Sequence, residues 1–382
     1  MNLYYSFKIY STYLELPASW DSLATKNIFL SKQYFEILEK SAPTNMECHY
    51  IGLFHKEELI GIALSQFIDA NQLISFGDRD KCIKTFIRNF FFKNFSSRVL
   101  FVGNNMLTGQ NAFSFAETID KKLAVETIKK ATEKLKIHYK NIGKKVHLTT
   151  FKDFDISDLD LFENNQFKDF FRFTIQPNMI FEIPQTWKSN DDYIAALSKK
   201  YRDQYKRSHH RAVGISKRKL NLVEIINLED TIYELYFHVA QNAPFNTFFL
   251  AKNHFRVFKE ILKEKFLFYG YFQDEKLIGF NTLIKNGDTI DTYFLGYDNV
   301  IQKEKMLYLN MLYDMIAYSI NKGYKEIVFA RTALEIKSSV GAKPQKMYGF
   351  IEHSNKLLNK NMPRIFKYLE PEMSWKERNP FK

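Results

Sequence analysis

Cysteine is nearly absent: the 382 residues hold two, Cys48 and Cys82. They form no CxxC and have no histidine cluster beside them. That argues against a disulfide framework or a thiolate zinc site and fits a reducing cytoplasm. His209 and His210 are adjacent, so a helix would point them to different faces, and no metal site is expected. No window approaches the roughly 18 uninterrupted apolar residues that a membrane span needs. The first stretch, MNLYYSFKIYSTYLELPASW, lacks the basic region and long apolar core of a signal peptide. HExxH, nucleophile-elbow, Walker and dinucleotide fingerprints are all missing, as is any low-complexity segment.

Glycine, at 14 residues, is scarce as well, whereas Phe (37) and Tyr (22) are abundant. Either large rings fill cores where Leu would otherwise sit, or an A/T-rich coding bias favours these residues. Length allows two or three domains, each able to bury a core. The formal charge of +12 leaves phosphate-bearing donors, RNA and anionic membrane surfaces open as partners.

The most informative stretch is FLFYGYFQDEKLIGFNTLI, 266–284, two apolar runs around a polar turn that read as a β-hairpin. It has a twin in HYIGLFHKEELIGIA, 49–63: Gly52 and Leu59-Ile60-Gly61 match Gly270 and Leu277-Ile278-Gly279. Further on, a helical pattern ends at Asn141-Ile142-Gly143-Lys144 before VHLTTF, and another at Asn321-Lys322-Gly323-Tyr324 before EIVFA. Two such pairs in the same order indicate one α/β unit duplicated in tandem.

In chain order, Ser31 caps a helix over KQYFEILEKSA, a mixed segment over Asp80–Phe95 reads as helical, and Arg98–Gly103 as a strand. The long helix Ala116–Tyr139 carries Ala124, Ile128, Ala131, Leu135 and Tyr139 at helical spacing. Two short strands, Phe171–Ile175 and Met179–Ile183, lie in a linker region near the expected domain boundary. From Ser189, one helix is expected to run to Gly214 through DDYIAALSKKYRDQYKRSHHRAVG, with Tyr193, Leu197, Tyr201, Tyr205, Ser208 and Ala212 packing along one stripe. A strand near Leu222–Ile226, helices over 229–241 and 252–264, the hairpin, and a strand Asp288–Gly296 follow. A helix Lys303–Asn321 and a strand Glu326–Ala330 come next. A strand near 346–352 and a helix near 354–368 are expected to close the second unit.

With these pieces placed, the chain resembles the GNAT-like acyltransferase superfamily. Within it, the likeness is to the branch of the Fem-type peptidoglycan aminoacyltransferases and their bacterial relatives. PASWDSLATKNIFLSKQYFEILEKS, the basic-helix sequence, DTIDTYFLGYD, AYSINKGYKEIVFA and GAKP carry the likeness, and their order says more than any one of them. The resemblance implies an α/β (α+β) fold of two tandem GNAT-like domains, each a mixed, largely antiparallel sheet flanked by helices. The expected bounds are 1–170 and 171–382, with the basic helix 191–213 and the site in the second. It also implies an N-acyltransferase, in which a primary amine attacks an acyl-CoA or acyl carrier protein thioester with no covalent enzyme intermediate and no tightly bound cofactor. A Fem-type transfer from aminoacyl-tRNA to a cell-wall precursor is one alternative. A non-catalytic module for RNA or anionic lipid is another. Acetyl-CoA enzymes of the superfamily carry a glycine-rich turn before the long helix to hold pyrophosphate. Here Val300-Ile301-Gln302-Lys303-Glu304-Lys305-Met306-Leu307 stands in that place without a glycine.

In this fold a backbone N–H of a splayed central strand polarises the carbonyl, and Tyr293–Tyr297 is the candidate stretch. Arg331 and Glu335 are the catalytic candidates, because a strand's carboxyl end is where α/β sheets place their sites. Spaced i,i+4, they could equally be a surface pair. Asp298 is a further candidate base, with Asp291 at the strand's other end, though each could be purely structural. Substrate contacts are assigned to Lys337, Thr332, Tyr297, Asn242 and Asn246. Residues 199–219 hold nine cations and one acid, Asp203. Lys199, Lys200, Arg202 and Lys206 are read as donor-binding, against the plain alternative of a solvated charged face.

Overall fold

The computed structural model describes residues 4–72, 96–242, 246–369 and 375–382. The helix expected over Asp80–Phe95 lies outside them. The chain divides into two units: Met1–Ile175 with Thr247–Ala251 and Lys346–Glu372, and Gln176–Asn246 with Lys252–Gln345 and Met373–Lys382.

The first unit starts with β1 (Ser6–Tyr10) and α1 (Lys32–Ser41), whose N-cap Ser31 accepts the Tyr34 N–H as the sequence pattern indicated. The hairpin β2 (Met46–His55) and β3 (Glu58–Asp69) follows, then β4 (Arg98–Val102) and β5 (Phe113–Phe115). Next come α2 (Lys121–Asn141) and β6 (Leu148–Phe154). The expected stripe of α2, from Ala124 to Tyr139, is buried against the sheet. β1 to β4 pair antiparallel in sequence, β5 also pairs with β3, and β4 and β6 run parallel.

The second unit repeats this plan. β7 (Phe171–Glu182) is one strand where two were expected, and its Gln176–Glu182 part lies in this unit. α3 (Asn190–Ala196) and α4 (Lys199–Arg211) replace the single long helix. The break falls where Leu197 and Ser198 turn extended, and the tail pairs with it: Leu197 bridges Phe381, and Ser198 N donates to Pro380 O. β8 (Ser216–Lys219) is a fully exposed strand. Leu222–Ile226, read as a strand, lies instead in the short helix α5 (Leu222–Asn227). Asn221 and Glu224 cap each other's backbone N–H there, and this local box overrides β-branched propensity.

Helices α6 (Glu229–Ala240) and α7 (His254–Leu262) precede the hairpin β9 (Phe266–Gln273) and β10 (Lys276–Asn286), which lies as the sequence indicated. β11 (Thr289–Thr292) and β12 (Gly296–Tyr297) are two pieces of the expected third strand. The helix expected over Lys303–Asn321 is also two: α8 (Asn299–Lys305) and α9 (Leu307–Asn321), separated by a left-handed Met306. β13 (Glu326–Ala330) and α10 (Leu334–Ser339) complete the unit. β9, β10 and β11 pair antiparallel, β8 adds to β9, and β11 runs parallel to β13, which pairs with β7.

β14 (Lys343–His353), α11 (Lys356–Lys360) and α12 (Met362–Leu369) come last. From Lys346 on, they group with the first unit, where Tyr348–His353 pairs with β6, instead of closing the second. Pairing across that sequence distance leaves no local trace.

The duplicated hairpin has a physical basis. Ile60 and Ile278 are corresponding bulged residues, each just ahead of its glycine. Gly52 and Gly270 each lie beneath a Phe–Leu pair, Phe54 with Leu59 and Phe272 with Leu277. A Cβ on either glycine would approach those rings to 3.1 Å or less. The spacing of Gly, Phe, Leu and Gly is therefore a packing constraint written twice.

Candidate functional site

In both units the two parallel strands part company at their carboxyl ends. In the first unit, β4 and β6 pair up to Val102 and Phe151, and 103–112 then loops out before β5. That loop is tied down. Lys152 is buried and its Nζ donates to Asn104 O (2.7 Å) and Leu107 O (3.5 Å) and pairs with the Asp153 carboxylate. Gln66 Oε1 accepts the Asn105 N–H at 2.7 Å, and Asn104 Nδ2 donates to the Tyr34 hydroxyl at 2.7 Å. The first unit's splay is thus closed by its own lysine and loop.

The second unit differs. β11 and β13 pair through Asp291 and Val328, and the loop is only Tyr293–Leu295. Thr292 stands opposite Leu283 on β10, yet Gly296 stands opposite Phe280, so the strand gains one residue in between. Tyr293 and Phe294, though consecutive, both turn toward α6 and α7: Tyr293 OH bonds His254 Nε2 at 2.9 Å, and the Phe294 ring meets Tyr236 edge-on. This is a β-bulge, which re-aims side chains and interrupts pairing. α6 presses directly on Gly296, where a Cβ would come within 2.5 Å of the backbone at Leu235 and Tyr236. The Tyr293–Tyr297 stretch singled out from sequence is this bulge. Along the splay, Thr292, Leu295, Val328, Ala330 and Arg331 stay partly accessible.

β13 ends in strained backbone: Ala330 (φ 61°), Thr332 (φ 68°) and Ala333 (φ 47°) are left-handed without being glycine. The turn throws Ala330 O and Arg331 O toward α10. There buried Lys337 takes both, Nζ donating at 3.2 and 2.6 Å. Burial pushes the Lys337 ammonium down to about 7. A neutral amine has two N–H donors and one lone pair, and two carbonyls use both donors. Lys337 can therefore accept a proton near neutral pH. Burial also lowers the Arg331 guanidinium to about 10.

The other sequence candidates are placed differently from the expected constellation. Glu335 does not pair with Arg331: it is exposed on α10 and held by Arg378, whose Nε donates to Oε1 at 2.9 Å. Thr332 is exposed. Asp298 is the N-cap of α8, accepting the N–H groups of Val300 (2.9 Å) and Ile301 (3.0 Å), so its carboxylate serves the helix. Tyr297 is half-buried against Tyr308. Asn242 and Asn246 donate to the carbonyls of His238 and Ala240 and so finish the turn after α6. Asp291 lies on the α6–α7 face of the sheet, where burial raises its carboxyl to about 7 beside Asn286.

On α4, Tyr201 and Ser208 are buried, and Lys199, Lys200, Lys206, Arg207 and Arg211 face solvent. Arg202 Nη1 instead returns to Leu197 O at 2.6 Å. Asn310, in the first turn of α9, donates to Ser208 O at 3.0 Å and fixes α4 beside the start of that helix. Sequence reading missed Asn281, an isolated amide in an apolar strand, and the anchoring tail residue Arg378. Among the described residues no group of three or more His, Cys, Asp and Glu is placed to hold a metal, and no helix is long and apolar enough to cross a membrane.

No family model and no curated protein matches the chain. Solved structures do. One described as FemX is 12% identical, with 93% of this chain and 99% of that chain covered at a TM-score of 0.52. A tandem GNAT protein from the clavulanic acid biosynthesis pathway is 10% identical, covering 92% and 99% at 0.51. At such identities the likeness is one of architecture, and that architecture is the tandem GNAT-like fold of Fem type.

Proposed function

We propose that the chain transfers an acyl or aminoacyl group from an activated donor to a primary amine, and that the second unit does the chemistry. The observation that carries this is the contrast between the two splays. One is filled by Lys152 and its loop; the other opens at a bulge, with a lysine of near-neutral pKa at the adjoining strand end. The donor carbonyl would lie at the bulge, polarised by the backbone N–H of Leu295, since that of Tyr293 already donates to Thr282 O at 2.9 Å. Lys337 would take the proton of the attacking amine. The amine nitrogen then bonds the carbonyl carbon and the thiolate or alkoxide of the donor leaves, with no covalent enzyme intermediate. The resemblance of fold supports acyl transfer in general; acyl-CoA or acyl carrier protein thioester as donor is our reading.

Asp298 favours a second donor. Its carboxylate occupies the amides that precede the long helix, where a pyrophosphate would otherwise dock, and negative charge there repels phosphate. A donor whose phosphates ride on the exposed cations of α4, as those of aminoacyl-tRNA could, avoids that clash. Native mass spectrometry with acetyl-CoA, palmitoyl-CoA and bulk tRNA separates the two. A retained CoA species supports the thioester reading. Binding of tRNA alone, weakening steeply with salt, supports the aminoacyl reading. Binding of tRNA with no transfer from charged tRNA would leave a binding module and overturn both.

A further inference from the structure

Asn281 stands on β10 opposite the bulge, between the pairings of Leu283 with Thr292 and Phe280 with Gly296. Strand alternation puts it on the same face as Gly279, which α9 covers through Leu307 and Met311. The bulge turns both Tyr293 and Phe294 to the opposite face. The α9 face therefore lacks the side chain that would stand beside Asn281, and its neighbours there, Thr292 and Leu295, are partly accessible.

The amide itself is held from behind. Asn281 Nδ2 donates to Tyr271 OH at 3.0 Å, and Tyr271 OH donates to Asp314 Oδ2 at 2.7 Å. Asp314 Oδ1 pairs with Lys217 Nζ at 3.3 Å. This chain fixes which end of the amide is nitrogen and polarises its oxygen. Asn281 is 1% exposed, and its Oδ1 is buried with no hydrogen-bond partner. Buried acceptors in folded proteins are almost always paired, and one left bare is costly.

We infer that Asn281 Oδ1 is a substrate-binding acceptor for an N–H group, on the α9 side of the bulge. The inference rests on the reading of the bulge as the acyl-transfer site. The N–H comes either from the attacking amine or from an amide of the donor arm. Adjacent strands lie about 4.8 Å apart, so an amine held by Asn281 is within reach of a carbonyl held at the bulge.

Binding is measured by calorimetry on the full chain with n-propylamine as the amine probe and pantetheine as the amide probe, at millimolar concentrations. The wild type binds at least one of them, and Asn281→Leu weakens that probe about tenfold with its unfolding temperature retained. Asn281→Ala serves if the leucine variant does not fold. Loss of n-propylamine assigns the acceptor amine, and loss of pantetheine assigns the donor arm. If a probe binds equally well to the folded variant, the role of Asn281 is refuted while the acyl-transfer reading of the bulge stands. If neither probe binds the wild type, both the role and that reading are refuted.

Discussion

Lys337 puts the account at its sharpest. Its folded pKa, about 7, lies below the ordinary lysine value of 10.5, because burial disfavours the charged form. The unfolded chain therefore binds the proton first as pH falls. Stability drops between about pH 10.5 and pH 7 and changes no further below that. Lys337→Met removes this dependence, so denaturant unfolding at pH 6 and pH 9 should differ less in the variant than in the wild type. Transfer in the wild type should rise through about pH 7 as the amine loses its proton. The variant should lose about 10²-fold or more while staying folded. Arg331, read from sequence as catalytic, and Lys337, read there as a substrate contact, stand out in sequence because they follow a buried strand. Their environment does not: the left-handed turn at Ala330–Ala333, which turns two carbonyls toward the lysine, contains no glycine to announce it.

At the scale of elements, the proposal that the second unit does the chemistry rests on the bulge and the helix on it. Gly296→Ala places a Cβ against the backbone of α6, which cannot retreat as a side-chain tip could. We expect a loss of about 1–3 kcal/mol or more in denaturant unfolding, together with loss of transfer. Lys152→Met removes the buried ammonium that pairs with the Asp153 carboxylate and should cost about 3–5 kcal/mol, yet leave transfer per folded molecule unchanged. A fall in its specific activity would move the site out of the second unit. The hairpins were readable because the Gly, Phe and Leu spacing that lets the rings pack is repeated in both copies. The bulge was not, since Tyr293-Phe294-Leu295 reads as any apolar strand. Capping likewise outvoted propensity at Asn221 and Glu224, where a strand had been expected.

For the whole molecule, the tandem architecture follows from the repeat, but the membership of β14 in the first unit does not. No residue of Lys346–His353 names its partner on β6, and only the folded chain shows it. Part of the charge of +12 lies on α4, which buries Tyr201 and Ser208 and leaves Lys199, Lys200 and Lys206 exposed. Reversing these three charges should weaken donor binding by about tenfold or more at low salt and flatten its salt dependence. Titrations at two ionic strengths check this. Equal affinity and an equal salt slope would leave the helix as a solvated face.

The most direct measurement is transfer of labelled acyl groups to primary amines from a donor panel of acyl-CoA thioesters, acyl carrier protein thioesters and aminoacyl-tRNAs. Wild type, Lys337→Met and Lys152→Met are run side by side. The expected result is transfer from one donor class by the wild type and Lys152→Met, and almost none by Lys337→Met. Equal transfer by folded Lys337→Met, or no transfer from any donor by the wild type, would contradict an acyl-transfer site in the second unit.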